Sequence, residues 1–243
     1  MSGLREGVGA PRGRLLAYDR ANAEEGHIVM RWLALGALVG GLGLVAMGCS
    51  EGTRYPNGLA DDAYDLEAMA LRPEDLPPGF EQRSPGEFTN EAWAAVFQTD
   101  DVEAKLRQLE AQGRQRNYVT LFGPRGLGPV LAVTAISTLY GDAGAAERSL
   151  REFGCGLPIE ASARLEPLLV PAIGDGASGF LERQFDDAGA PTFVDATVCF
   201  RTGRVVHAIQ ATSVAGVEDV AFLVRLAEKQ KARVDAVFAG EGG

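Results

Sequence analysis

A run of seventeen uncharged residues, 32–48, separates a short leading part of this chain from everything that follows. The run is mostly leucine, alanine, valine and glycine, with Arg31 directly before it and Cys49 directly after it. A positive residue, an apolar stretch and small residues at its end are typical of a secretory signal, which is removed and takes no part in the fold. We therefore expect residues 30–48 to be an export signal and the folded domain to follow it.

The end of this run resembles the lipobox of bacterial lipoproteins. Residues 45–50 read Val-Ala-Met-Gly-Cys-Ser, with a small residue before the cysteine. The resemblance implies that the chain is cut before Cys49 and that lipid on this cysteine holds the protein at the exported face of the cell membrane or the outer membrane. In a host with two membranes, Ser50 favours the outer one. The alternative is an uncleaved transmembrane helix, but seventeen residues are near the short limit for spanning and five of them are glycine.

The residues ahead of the signal, 1–29, show no hydrophobic periodicity and no helix caps. Met30 directly precedes Arg31, so translation from Met30 gives an export signal of ordinary shape. The codons for Glu24, Glu25 and Gly26 can form a purine run that resembles a ribosome-binding site. We interpret residues 1–29 as a leader from a misassigned start, with a genuine cytoplasmic extension as the alternative.

The charge balance of the chain limits its partners. Its 23 Lys and Arg residues are outnumbered by 33 Asp and Glu residues, which gives a net charge of −10. An acidic surface repels the phosphates of nucleic acids and of anionic lipids. We therefore expect no nucleic-acid partner, and a membrane contact made through attached lipid. Hydrophobic residues make up 46 % of the chain, which is sufficient for a sizeable core.

The exported part begins with a polar segment and continues as one domain. Residues 50–60 are rich in turn formers and are predicted to be a tether, and residues 61–71 are predicted to form a short helix. Residues 75–80, Asp-Leu-Pro-Pro-Gly-Phe, must turn the chain. The sequence thus predicts an anchor, tether and short helix over 49–71 and an exported domain over 72–243.

From Phe80 onward, the spacing of apolar residues alternates between the periods of strands and helices. Several connections are short, which indicates hairpins and antiparallel pairing. We predict an α+β domain with a curved, mainly antiparallel sheet of about five to seven strands and helices packed on one face. The predicted helices span 90–98, 101–112, 142–153 and 217–238, and the predicted strands span 80–84, 117–122, 130–140, 164–170, 179–185, 192–201 and 204–212.

Four short stretches together give the domain a family resemblance. They are the turn at 75–80, Gly113-Arg114 with Tyr118 ahead of a strand, the turn at 174–177 and the hairpin at 200–206. They resemble small exported α+β domains of uncharacterised bacterial envelope lipoproteins and, more distantly, extracellular sensor domains of actinobacterial serine/threonine kinases. The resemblance implies a binding or sensing domain over roughly residues 72–240 and transfers no catalytic residue.

Residues that support catalysis or metal binding are sparse after Cys49. His207 is the one histidine there, and neither His-Glu-x-x-His nor Gly-x-Ser-x-Gly occurs. Gly123–Pro129 is glycine-rich but lacks the Lys-Ser/Thr of a phosphate-binding loop. Four aspartates could surround Ca²⁺ if their loops converged, but their spacing matches no calcium loop, so we expect no metal and no other cofactor. These aspartates are Asp175, Asp186, Asp187 and Asp195.

His207 is predicted to lie on the buried face of a hairpin. If Thr202 and Gly203 form a two-residue turn, Val198 faces His207 and the neighbouring pairs on that face are apolar. The favoured interpretation is a neutral core histidine bonded to backbone or hydroxyl groups. The alternative is a ligand contact or pH-sensitive group that lines a pocket between the sheet and the helices.

Cys155 and Cys199 are the cysteines that remain when Cys49 carries lipid. In an oxidising compartment such a pair is predicted to form a disulfide, with two buried thiols as the alternative. Metal ligation by both cysteines and His207 is less favoured, because Cys199 and His207 point to opposite faces of the predicted hairpin.

These observations favour a membrane-anchored lipoprotein whose exported domain binds a small molecule, a lipid or a partner protein without catalysis. One alternative is a cell-surface hydrolase that uses Asp and Glu, which requires two carboxylates at catalytic distance in a cleft. The other alternative is a structural factor in envelope assembly, which predicts a solid core and an exposed apolar patch. A deep apolar cavity would favour the binding domain.

Overall fold

The structure, a computed structural model, describes residues 55–97, 99, 101–152, 154–159, 164–186 and 188–240. All of them belong to one structural unit, Thr53–Gly243. The predicted leader, the export signal and Cys49 lie outside the described residues. Within the described residues, no helix combines the length and the apolar character needed to cross a membrane.

In the part of the chain that the structure describes, eight strands form one open, curved sheet, and their pairings are antiparallel. β-branched residues recur in the long strands, as in Val130–Tyr140, because such side chains pack well on a pleated surface. The strands are β1 Phe80–Gln82, β2 Gly86–Thr89, β3 Arg114–Pro124, β4 Val130–Tyr140, β5 Leu165–Pro167, β6 Ala177–Phe185, β7 Pro191–Thr202 and β8 Val205–Val214. Their order across the sheet is β1-β3-β4-β8-β7-β6-β5, and β2 also pairs with β3.

Among the described residues, four α-helices pack with the sheet, and side-chain caps fix where helices begin. The Asp101 carboxylate accepts a hydrogen bond from the Ala104 amide at 2.7 Å, and Asp219 accepts one from the Phe222 amide at 2.8 Å. Each bond satisfies an amide that the first turn of a helix leaves without a partner. The helices are α1 Asn90–Val96, α2 Val102–Ala111, α3 Ala143–Glu152 and α4 Val220–Phe238.

The helices cover both faces of the sheet, which corrects the prediction of one covered face. On the side named here the α4 face, Leu226 packs in one cluster with Ile209 of β8. On the opposite side, named the α1–α3 face, Ala146 of α3 packs in a second cluster with Ala208 of β8. The α+β class and the antiparallel sheet are confirmed, but the sheet has eight strands and its central strands are buried on both sides. A strand between two layers reads as a nearly continuous apolar run, so its sequence does not show which face the helices occupy.

The packed unit begins earlier than the sequence analysis placed it. Tyr55 is 3 % exposed, and its hydroxyl donates a hydrogen bond to Asp235 of α4 at 2.7 Å. Tyr64 is fully buried and packs edge-on against Phe238 at the end of α4. A 3-10 turn at Asp61–Ala63 lies where the short helix was predicted. Residues assigned to the tether and short helix therefore belong to the core on the α4 face.

Candidate ligand-binding site

A surface cavity opens on the α1–α3 face, between α2 and the loop that follows α3. Its volume is about 320 Å³, which lies in the range of small-molecule sites. Polar and apolar side chains share its wall. The apolar lining residues are Phe97, Leu109, Leu157, Ile159 and Leu165.

One wall of the cavity is built by three consecutive residues with left-handed backbone conformations. Gly154, Cys155 and Gly156 have φ values of +55°, +61° and +74°. Glycine adopts this region readily, whereas a residue with a Cβ atom does so at a cost. Cys155 is held there by its disulfide to Cys199 of β7, with the two Cα atoms 6.3 Å apart. The structure thus contains the predicted disulfide, and the bond ties the cavity wall to the sheet.

Arg114 lies directly behind this wall. It is the first residue of β3 and follows Gly113, which ends α2 with a φ of +79°. Its side chain is buried, its Nη1 donates to the Gly156 carbonyl at 3.4 Å, and its Cζ lies 4.8 Å from the centre of the Trp93 ring. Among the described residues, no carboxylate pairs with the guanidinium, and its Nε and Nη2 have no hydrogen-bond partner. Burial lowers the pKa of Arg114 to about 10, and the nearby Tyr140 opposes that shift.

Lys105 adds a second cation at the cavity. Its Nζ lies 3.7 Å from the centre of the Phe97 ring and donates to Gln108 at 3.1 Å. Burial lowers the pKa of Lys105, and the positive charge of Arg114 lowers it further. Glu152 brings one carboxylate to the lining. The cavity region therefore holds two positive groups and one negative group.

Other buried polar atoms on the α1–α3 face also lack a hydrogen-bond partner among the described residues. They include the indole Nε1 of Trp93, the amide of Asn117 and the hydroxyl of Thr138. A buried polar group without a hydrogen bond costs about 1–3 kcal/mol, so such groups are normally paired with protein, water or ligand. Their concentration under α1–α3 marks this side of the sheet as incomplete in its hydrogen bonding.

His207 lies on the other side of the sheet, on the α4 face. The turn between β7 and β8 is formed by Gly203 and Arg204, so Phe200 and not Val198 faces His207. The predicted register was wrong by two residues, and because an even shift preserves the face, His207 is buried as predicted. Its ring stacks on Phe200 with the ring centres 4.6 Å apart.

The ring nitrogens of His207 are both hydrogen-bonded. Ser137 Oγ lies 2.9 Å from Nδ1, and Thr202 Oγ1 lies 2.9 Å from Nε2. Gln230 of α4 donates to Ser137 at 3.0 Å, which leaves the Ser137 proton to be donated to Nδ1 and the ring proton on Nε2. Burial lowers the pKa of His207 to about 3, so the ring is neutral at physiological pH. This position supports a neutral core histidine bonded to hydroxyl groups, and His207 does not line the cavity.

Three of the four aspartates considered for calcium are described by the structure, and each accepts hydrogen bonds from protein groups. Asp175 accepts from the Gly203 amide at 2.7 Å, and Asp186 accepts from two amides of its own loop. Asp195 accepts from Thr212 and Gln184, and Asp187 lies outside the described residues. Within the residues that the structure describes, no three metal-binding side chains come together.

Sequence reasoning missed the residues that define the cavity. Lys105 is four residues before Leu109, a spacing that places two side chains on the same face of a helix. This spacing could have predicted that Lys105 lies beside Leu109. The face on which Arg114 lies was harder to predict from the sequence. The pairing register of β3 shifts between Arg114 and Arg116, and this shift interrupts the regular alternation of side chains between the two faces. Nothing in the local sequence places Trp93 over Arg114.

One solved structure of an extracellular domain is similar to this chain. It is the extracellular domain of PknH from Mycobacterium tuberculosis, with a TM-score of 0.49 and 11 % sequence identity, over 76 % of this chain and 99 % of that chain. No family profile matches the chain, and no curated protein matches it. The functional proposal therefore rests on the residues of this chain.

Proposed function

We propose that this chain is an exported envelope lipoprotein, anchored by lipid on Cys49, whose domain binds a small molecule or an envelope partner without catalysis. The observation that carries the binding role is the open, half-apolar cavity beside the buried guanidinium of Arg114, whose Nε and Nη2 have no hydrogen-bond partner among the described residues. Proteins place apolar surface together with a few convergent polar groups where a ligand is held. A sensor-like role agrees with such a site.

The disulfide supports an exported domain. A bond between Cys155 and Cys199 persists in oxidising compartments and is rare in the reducing cytosol. The apolar run at 32–48 and the cysteine after it supply the export address and the point of anchoring. Attached lipid provides the membrane affinity that an acidic surface cannot provide.

The carboxylates near the cavity support binding rather than hydrolysis. Hydrolases that rely on carboxylates use a pair of them on either side of the bond that is cut. Among the described residues that line the cavity, Glu152 is the one carboxylate. Lys105 and Arg114, which favour an anion, outnumber it.

Lipid anchoring is tested by labelling cells with a palmitate analogue. Cys49→Ala is expected to abolish the label and to leave the signal uncut, because the thiol is both the lipid acceptor and the processing site. Ser50→Ala is the matched control and is expected to retain both label and processing. Label that persists in Cys49→Ala contradicts the anchor.

The binding role is tested by native mass spectrometry of the full chain purified from its own host in lipid nanodiscs. We expect a bound mass in addition to protein and lipid, and we expect denaturation to release it. Leu109→Trp fills the cavity and is expected to lose that mass, whereas Val102→Trp adds the same side chain at an exposed site of α2 and is expected to keep it. A bound mass that both variants keep lies outside this cavity.

A further inference from the structure

The geometry points to the class of ligand: we propose that the cavity binds an organic monoanion, a carboxylic acid with a compact apolar body. The acid group lies against Lys105 and the Gly156 edge of the wall, with the guanidinium of Arg114 behind it. The apolar body lies against Leu109, Leu157 and Ile159. This inference rests on the proposed function, because it assumes that the cavity is the binding site.

The charge of the site favours an anion. Arg114 is 3 % exposed, and among the described residues no carboxylate pairs with its positive charge. A buried charge of this kind is stabilised by an opposite charge nearby. Arg114 Nη1 donates to the carbonyl of Gly156, which is itself a residue of the cavity lining. Charges interact strongly across so thin a layer of protein.

The same groups limit the ligand to a single negative charge. Among the described residues, Lys105 and Glu152 line the cavity with one positive and one negative charge, and Arg114 adds a second positive charge behind the Gly156 wall. The local excess therefore matches a monoanion. A polyanion would also meet the repulsion of the whole chain, whose net charge is −10.

The lining defines the rest of the ligand. Five apolar side chains, Phe97 among them, surround the polar groups in a volume of about 320 Å³. A compact apolar body fits this space, and a long polymer does not. Gly156 keeps the wall thin: a Cβ atom there would lie 3.0 Å from the Tyr140 hydroxyl and 3.8 Å from Arg114 Nη1.

The test is isothermal titration of the full chain in lipid nanodiscs with three probes of equal shape, using empty nanodiscs as the blank. The probes are 4-phenylbutyrate, 4-phenylbutanamide and 4-phenylbutylamine, which carry a negative charge, no charge and a positive charge. We expect the carboxylate to bind at least about tenfold more tightly than the amide, and the amine to bind most weakly.

Two pairs of variants assign the selectivity to the cavity. Lys105→Gln is expected to weaken binding of 4-phenylbutyrate about tenfold and to leave binding of the amide unchanged. Arg107→Gln is the matched control, because it removes the same charge from an exposed position of the same helix. Arg114→Gln is expected to remove the preference for the carboxylate, and Arg114→Lys, which keeps the charge, is expected to retain part of it.

The possible results distinguish a failure of the anion assignment from a failure of the proposed binding function. Equal binding of all three probes, or equal loss in Lys105→Gln and Arg107→Gln, overturns the anion assignment and leaves the cavity as a binding site. No binding of any probe at millimolar concentration overturns both. If Arg114→Gln fails to fold, the probe series and the Lys105 pair still decide the question.

Discussion

The two faces of the sheet are built from the same strands, but they differ in the hydrogen bonding of their buried polar groups and in how closely they are packed. On the α4 face, both ring nitrogens of His207 are paired and α4 closes a continuous apolar cluster. On the α1–α3 face, the guanidinium of Arg114 and the indole of Trp93 are buried with atoms left unpaired beside an open cavity. Among the described residues, Gln230 Oε1 is a buried atom on the α4 face without a partner, whereas several such atoms lie on the α1–α3 face, which therefore gives up more stability.

The difference follows from which segments cover each face. One helix of 19 residues, α4, crosses the first face as a single unit. The second face is covered by three short helices and a loop that depends on a disulfide to hold its conformation. Short helices gain little stability by themselves, so this layer depends on its tertiary contacts. The predictions below test the contrast from its largest expected effect to its smallest.

Removal of the first packed segment should destroy the α4 face. A chain that begins at residue 72 lacks Tyr64, Leu66 and Met69, each at most 1 % exposed. The loss of one large buried side chain costs about 2–5 kcal/mol, and the whole stability of a domain is about 5–15 kcal/mol. We expect the chain from 72 to be unfolded by circular dichroism, whereas a chain from 53 shows a cooperative thermal transition. Equal folding of both chains would place the true boundary at 72.

Loss of the disulfide should affect the α1–α3 face selectively. The bond between Cys155 and Cys199 spans 44 residues, and the loop-entropy model gives about 4 kcal/mol as an upper value for such a loop. We expect the double variant Cys155→Ser/Cys199→Ser to lose up to this much stability in urea unfolding. Hydrogen exchange should rise in α3 and in the cavity wall and stay unchanged in α4.

Thiol labelling checks the bond itself. Protein that is isolated without reductant and then denatured should show no reactive thiol at Cys155 or Cys199. Two reactive thiols would contradict the bond and would remove the covalent tie between the cavity wall and the sheet.

The same substitution on the two faces should differ in its effect. Leu226 on the α4 face and Leu109 at the cavity are 1 % and 2 % exposed. We expect Leu226→Ala to cost about 4 kcal/mol and Leu109→Ala about 2 kcal/mol, because an incompletely packed site loses fewer contacts and relaxes more easily. Urea unfolding of the full chain measures both. An equal or larger effect at Leu109 would mean that the two faces are packed alike.

Acidification should weaken the α4 face through His207. Burial lowers its pKa in the folded protein to about 3 from the ordinary 6.5, so the unfolded chain takes up the proton first as the pH falls. Its contribution to stability is therefore complete above pH 6.5 and declines as the pH falls toward 3. Between pH 6.5 and 5 the decline amounts to about 2 kcal/mol. His207→Gln should be less stable at pH 7 and should show a flatter dependence over this interval, and an unchanged slope would count against the assignment.

The α+β class, the hairpins and the burial of His207 could be predicted because they depend on short-range patterns. The alternation of apolar residues along β7 and β8 identified the buried face although the turn was misplaced by one residue and the pairing register by two. The disulfide was predictable because two cysteines remained for an exported domain. The role of residues 55–71 was not, because Tyr55 stands in a polar segment rich in turn formers and both Tyr55 and Tyr64 gain their burial from contacts with α4.

By itself, the sequence determined the periodicities, the acidic surface, the cysteine pair and the predicted export address, since each depends on neighbouring residues or on composition. The tertiary structure alone decided that helices cover both faces, that Trp93 and Gly156 meet at Arg114, and that a cavity opens beside them. Those contacts join α1, the loop after α3 and the start of β3, which are 21 to 63 residues apart in the chain. Such contacts are set by how the layers pack, and packing depends on side-chain shape across the whole domain rather than on any local pattern.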